Sequence, residues 1–121
     1  MAVFEMESWF VAEGKEKEHA QAMRGWLQWV NNNRELFVEW KSVRYFYKKV
    51  AGEESGRFFI IWEYDSLAAF EEYKAKRSGY KGLYAEYKKY DPYCMDVFNH
   101  HGMKVEFWSD EDRDLWIEQP R

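Results

Sequence analysis

Cysteine is almost absent from this chain of 121 residues, with Cys94 standing alone. A single thiol excludes an internal disulfide and a cysteine-based zinc site, and it suits a reducing compartment. Without an activating neighbour in sequence, Cys94 reads as a small apolar filler. Proline occurs only twice. No apolar run approaches the ~18–20 residues that a membrane-spanning helix needs. Positive charge is also short: 18 Lys and Arg stand against 22 Asp and Glu, a formal net charge of −4. The cations interleave with glutamates and form no basic patch, so nucleic acid is not an expected partner. Met1-Ala2-Val3-Phe4-Glu5 has neither the basic region nor the apolar core of a signal peptide, and a cytoplasmic location is expected. The spacings of a phosphate-binding loop, a Gly-x-Ser-x-Gly elbow and a metalloprotease helix are all missing.

Aromatic residues are what the chain has in plenty. They make up 21% of it, with 7 Trp, 9 Tyr and 9 Phe. Each buries on the order of 150–250 Å². A domain of this size cannot hide them all, so a subunit interface, a ligand cavity or both are expected.

The apolar pattern runs through one rhythm twice. Val3 to Val11 alternates as a strand and leads into a helical pattern from Lys15 to about Phe37, with Ala20, Met23, Leu27 and Val30 on one face. Arg57 to Tyr64 is again strand-like and leads through Asp65-Ser66, a good helix start, into a second helical pattern from Leu67 to about Tyr90. Ser78-Gly79-Tyr80-Lys81-Gly82 interrupts that pattern, so a kinked or two-part helix is predicted, ending at Asp91-Pro92. Each helix is followed by a further strand, Val43–Val50 and Met95–Phe107, the last with a bulge or turn at His100-His101-Gly102. The order βαββαβ is the ferredoxin-like α+β plan, a four-stranded antiparallel sheet with both helices on one face. One domain over residues 1–108 is expected. Residues 109–121 form an acidic tail whose Leu115-Trp116-Ile117 is expected to dock on the body or on a partner.

Both faces of the first strand carry large apolar groups, so both need cover. At the third strand and second helix, Ile60-Ile61-Trp62-Glu63-Tyr64-Asp65-Ser66-Leu67-Ala68-Ala69-Phe70-Glu71-Glu72-Tyr73 resembles the dimeric α+β barrel superfamily, which includes antibiotic-biosynthesis monooxygenases, heme-degrading monooxygenases and stress-responsive barrel proteins. The order of elements matches over roughly residues 2–108. The resemblance implies a homodimer whose two sheets pack face to face, with ligands held between sheet and helices of one subunit. Heme-degrading members place Asn on strand one, Trp on strand three and His on helix two. Trp62 matches the Trp, but Ser8 and Glu7 stand where the Asn would be, and the second helix has no histidine. Heme ligation therefore does not carry over, and no cofactor is expected.

Three sets of residues are candidates for a site. Phe4, Phe10, Trp26, Trp62, Phe70, Tyr73 and Tyr84 could wall a pocket for a small hydrophobic ligand, with Ser8, His19 and the Tyr84 hydroxyl as its polar groups. The same spacing also describes a plain core. If Trp62 faces the helices, Glu63 faces the barrel, where Glu5, Glu7, Asp96, His100 and Arg44 are expected to join it. Glu5, Glu7, Glu63 and His100 are thus metal-ligand or acid/base candidates, and equally a charge-balanced interface network. In His100-His101, adjacent side chains point to opposite faces of a strand, so the pair cannot chelate one ion without a bulge. Two functions follow: a small-molecule-binding or stress-type barrel protein, or a cofactor-independent monooxygenase acting on an aromatic or polyketide-like substrate at Trp62.

Overall fold

The computed structural model describes residues 2–120. Four strands, β1 (Val3–Val11), β2 (Ser42–Tyr47), β3 (Phe58–Tyr64) and β4 (Phe98–Ser109), form one antiparallel sheet in the order β2-β3-β1-β4. Two helices, α1 (Glu16–Asn32) and α2 (Leu67–Arg77), cover one face. This is the βαββαβ arrangement read from the sequence. Among the described residues, no helix is long and apolar enough to cross a membrane.

The element ends explain where the sequence reading overran. α1 stops at Asn32, not near Phe37. The Asn33 side-chain amide donates to the Trp29 carbonyl at 2.8 Å, capping the last turn, and a single 3₁₀ turn (Arg34–Leu36) follows. α2 begins as expected, with the Ser66 hydroxyl accepting from the Ala69 N–H at 3.1 Å. It ends at Arg77, well short of Tyr90. Gly79 takes φ +72° and Tyr80 φ +50°, left-handed values that an α-helix cannot contain, and the chain continues to Cys94 as a series of 3₁₀ turns. Strand β2 ends three residues before Val50. The expected bulge in β4 is present: two steps along β1, from Ser8 to Phe10, correspond to five along β4, from Lys104 to Asn99. Gly102 at φ +78° makes the bend.

Register decides which side chains share a face. Glu5 lies opposite Trp62, Glu7 opposite Ile60 and Trp9 opposite Phe58. Trp62 packs against Trp26 of α1 with ring centroids 6.1 Å apart, so this set faces the helices. Phe4, Met6, Ser8 and Phe10 face the other way, together with Phe59, Ile61 and Glu63 of β3 and Phe46 of β2. The aromatic surplus is spent mainly on the helix side. Trp9, Trp26, Trp62, Tyr64, Tyr73, Tyr87 and Phe98 are all buried there, and each contributes a few kcal/mol of apolar burial.

The segment after β4 is tied down at two points. The Asp110 N–H donates to the Ala2 carbonyl, and Arg113 bridges Asp110 and, across the sheet, Glu63. Leu115 and Ile117 are 74% and 88% exposed, and Trp116 lies under the Arg113 guanidinium. Cys94 is exposed, which corrects its reading as a small apolar filler.

Candidate functional site

Strands β1 and β3 form the floor of a partly open cavity, and α2 and the turns that follow it form the roof. The cavity has a volume of about 190 Å³. That is smaller than the several hundred Å³ of a drug-sized pocket, so any occupant is a small molecule. Its walls combine three kinds of chemistry. Carboxyl groups come from Glu5, Glu7 and Asp91. Cations come from Lys74 and Arg77. Aromatic groups come from Trp26, Trp40 and Trp62 and from Tyr64, Tyr73, Tyr80, Tyr87 and Tyr93.

The strand pattern places the acids. Glu5 and Glu7 are two apart on β1 and so project side by side into the interior, where both are buried. Tyrosine hydroxyls serve them. Tyr64 donates to Glu5 Oε1 at 3.2 Å and Tyr93 donates to Glu7 Oε1 at 2.8 Å. Asp91 accepts from the Tyr80 hydroxyl at 2.5 Å and from the Tyr93 N–H at 2.9 Å. Burial pushes the Glu5 carboxyl up to about 8, and Glu7, to which its protonated form hydrogen-bonds, pushes in the same direction; Lys74, 3.9 Å away, opposes the rise. Burial also raises Asp91, against the opposing effect of its two hydrogen bonds and of nearby Arg77. Glu5 is therefore mostly protonated at neutral pH and able to change state within the working range of an enzyme.

Three donors at this site have no acceptor among the described residues. The Trp62 and Trp40 indole N–H groups are buried without a hydrogen-bond partner. The Arg77 guanidinium stacks over the Tyr80 and Tyr73 rings, at 5.1 and 6.0 Å, and has no salt bridge or hydrogen bond among the described residues. Arg77 is half-buried, but a fully buried indole donor left unpaired costs about 1–3 kcal/mol, which a ligand or water acceptor would recover.

The structure divides the residues singled out from sequence. Trp62 and Tyr73 line the cavity. Phe70 stands behind the wall, edge-on to Tyr64. Tyr84 is turned away, its hydroxyl donating to the Leu36 carbonyl at 2.5 Å. His19 lies in the core at the other end of the sheet, where its Nε2 accepts from the Trp9 indole at 2.9 Å; burial lowers its pKa. Ser8, Phe4 and Phe10 fall on the opposite face of the sheet, because the pairing of Phe4 with Glu63 gives them the other parity from Trp62. The same parity separates the four metal candidates and corrects their grouping. Glu5 and Glu7 are inside the cavity with Trp62. Glu63 is on the open face, held by Ser42 and Arg113, and His100 is exposed at the bulge. Among the described residues, no three His, Cys, Asp or Glu converge as a metal cluster would require. Asp91, Lys74, Arg77 and Tyr93 were not foreseen. The available hint was the occurrence of Glu5 and Glu7 at the same parity as Trp9.

A second, larger concavity of about 1060 Å³ runs between α1 and edge strand β2, lined by Met23, Leu27, Phe37 and Val43 and flanked by Arg24, Arg34 and Lys41. Its charged groups are all cations; the smaller cavity, where carboxyls, cations and hydroxyls meet, is the better candidate for chemistry.

No protein-family model and no curated protein matches this sequence. Solved structures do. A NIPSNAP family protein of Agrobacterium tumefaciens superposes with a TM-score of 0.67 at 13% identity, covering 93% of this chain and 96% of its own. An uncharacterised NIPSNAP-like domain protein of Burkholderia xenovorans gives 0.60 at 13% identity, over 98% and 91%. A Bacteroides thetaiotaomicron protein named as a candidate antibiotic biosynthesis monooxygenase gives 0.60 at 11% identity, over 97% and 96%. At such identities the likeness is one of fold. Element order, sheet topology and these neighbours together identify the architecture as a ferredoxin-like α+β fold, the fold these NIPSNAP and antibiotic biosynthesis monooxygenase-like structures share.

Proposed function

We propose that this protein binds a small molecule in the acid-lined cavity under Trp62, as one half of a homodimeric barrel. The observation that carries the reading is the buried, unpartnered Trp62 indole N–H, with that of Trp40, in the wall of a cavity rich in ionisable groups. A plain core would have filled that space with apolar groups or paired the donor. The dimer is supported by the open face of the sheet, where Phe46 and Trp108 stand about half exposed beside Phe59 and Phe4. Native mass spectrometry of the purified protein tests both parts. A dimer carrying additional small-molecule mass that is lost in Trp62→Ala supports the reading. A clean monomer removes the barrel, and unchanged ligand mass in the variant removes the site.

A second reading is favoured by Glu5. A cofactor-independent monooxygenase needs a base to remove a proton from its substrate before dioxygen reacts, and a buried carboxyl raised to about 8 and lining a cavity is suited to that task. Oxygen consumption with hydroxylated aromatic substrates, compared in the wild type and Glu5→Gln, tests it. Equal rates in the two would exclude Glu5 as that base.

A further inference from the structure

We infer that the cavity selects a small carboxylate, held by Arg77, Lys74 and the Trp62 N–H and placed against the Glu5–Glu7 pair. The inference rests on the small-molecule reading of this cavity and names the class of ligand.

It follows from counting which groups are already satisfied. Asp91 has two donors and Glu7 has the Tyr93 hydroxyl. The donors are the groups in excess. Arg77 offers five N–H groups in a planar fork and has no acceptor among the described residues. Lys74 approaches an acceptor only at 3.9 Å, on Glu5. Trp62 offers one N–H and is 4% exposed. A carboxylate matches this arrangement, since a guanidinium takes it bidentately and an indole N–H can take a second lone pair. The aromatic walls then cover the ligand's apolar part.

The carboxyl pair adds a pH signature. Facing Glu5 are Glu7 on its own strand, Tyr64 from β3, Lys74 and Arg77 from α2, and Asp91 and Tyr93 from the turns. While Glu5 stays protonated it places no charge of its own beside the bound anion. When Glu5 loses its proton, near pH 8, an uncompensated negative charge arises beside the anion, and its affinity falls.

The test uses three isosteres that differ in charge: benzoate, benzamide and benzylamine. Each is titrated into the full chain at pH 6.5 while the Trp62 indole N–H resonance is followed. Benzoate is expected to move that resonance and to bind at least tenfold more tightly than benzamide. Arg77→Gln is expected to weaken benzoate about 10- to 100-fold, the value of a charge-assisted pair, and to leave benzamide unchanged. Arg77→Lys, which keeps the charge, is expected to fall between them, and melting curves of both variants report folding. Benzoate affinity is expected to drop between pH 7 and 9. Benzylamine as the tightest ligand, or benzoate binding unaffected in both Arg77 variants, overturns the carboxylate assignment but keeps the cavity as a site. No response to any of the three overturns the small-molecule reading along with it.

Discussion

Glu5 is the residue whose environment departs furthest from what its position in sequence suggests. Glu5 belongs to a central strand, and a carboxyl is ordinarily kept solvated. Here it sits beside a second carboxyl under a roof of tyrosines. Its folded-state pKa, about 8, lies above its unfolded value of 4.5. The folded chain therefore holds a proton that the unfolded chain releases, and this group's contribution to stability is full below pH 4.5 and lost as pH rises toward 8. Glu5→Gln removes the titration while keeping shape and hydrogen bonding. The variant is expected to melt several degrees above the wild type at pH 9 and close to it at pH 5, as thermal unfolding at the two pH values would show. A constant difference across pH would mean that Glu5 is already solvated. His19 behaves in the opposite sense. Its folded pKa lies below 6.5, so its contribution is full above that value and fades as pH falls below it.

At the scale of elements, the sequence was most legible where local chemistry sets a boundary. Strand β1 matches the expected Val3–Val11, and the Ser66 cap fixes the start of α2. The end of α2 was not legible, because Leu83, Tyr84 and Tyr87 continue a helical spacing that the backbone does not follow. The left-handed Gly79–Tyr80 step redirects the chain, and the later tyrosines reach the core from 3₁₀ turns instead. The site was only half legible for a related reason. Period-two alternation sorts residues within one strand, but the relation between strands depends on register. The pairing of Glu5 with Trp62, which puts acids and indole in one cavity and sends Ser8 to the far face, lies in that register. Two substitutions separate these local determinants. Ser66→Ala removes the cap and is expected to cost about 1 kcal/mol. Gly79→Ala forces a side chain into φ +72°, where the added Cβ would also meet the Lys81 side chain at 3.2 Å, and is expected to cost about as much or more. Urea denaturation of each variant measures both. A neutral Gly79→Ala would mean that the α2 exit is not held in that conformation.

For the molecule as a whole, the two faces of the sheet pose different problems. The helix face is covered, and its surplus polar groups converge on one cavity. Among the described residues no helix lies over the open face, which carries Phe4, Phe59, Ile61, Phe46 and Trp108 interleaved with Arg44, Glu63, Lys104 and Glu106 and is touched by the tail at Arg113. Charges spread among apolar groups on one sheet face suit a self-complementary two-fold contact better than exposure to water, because a two-fold axis sets each patch against its own copy. Phe46 and Trp108 are 48% and 56% exposed, so replacing them removes little from the core of one subunit. The double variant Phe46→Glu, Trp108→Glu is thus expected to leave the far-ultraviolet circular dichroism spectrum unchanged while shifting the mass in solution from two chains to one, as light scattering coupled to size exclusion would read directly. Both the wild type and the variant eluting as dimers would place the interface elsewhere. The groove between α1 and β2, with its apolar floor and its three flanking cations, would then be the next surface to alter. The cavity lies wholly within one subunit, between the sheet and α2. A monomeric variant that still shifts the Trp62 resonance with benzoate would therefore show that assembly and ligand binding are separable properties of this fold.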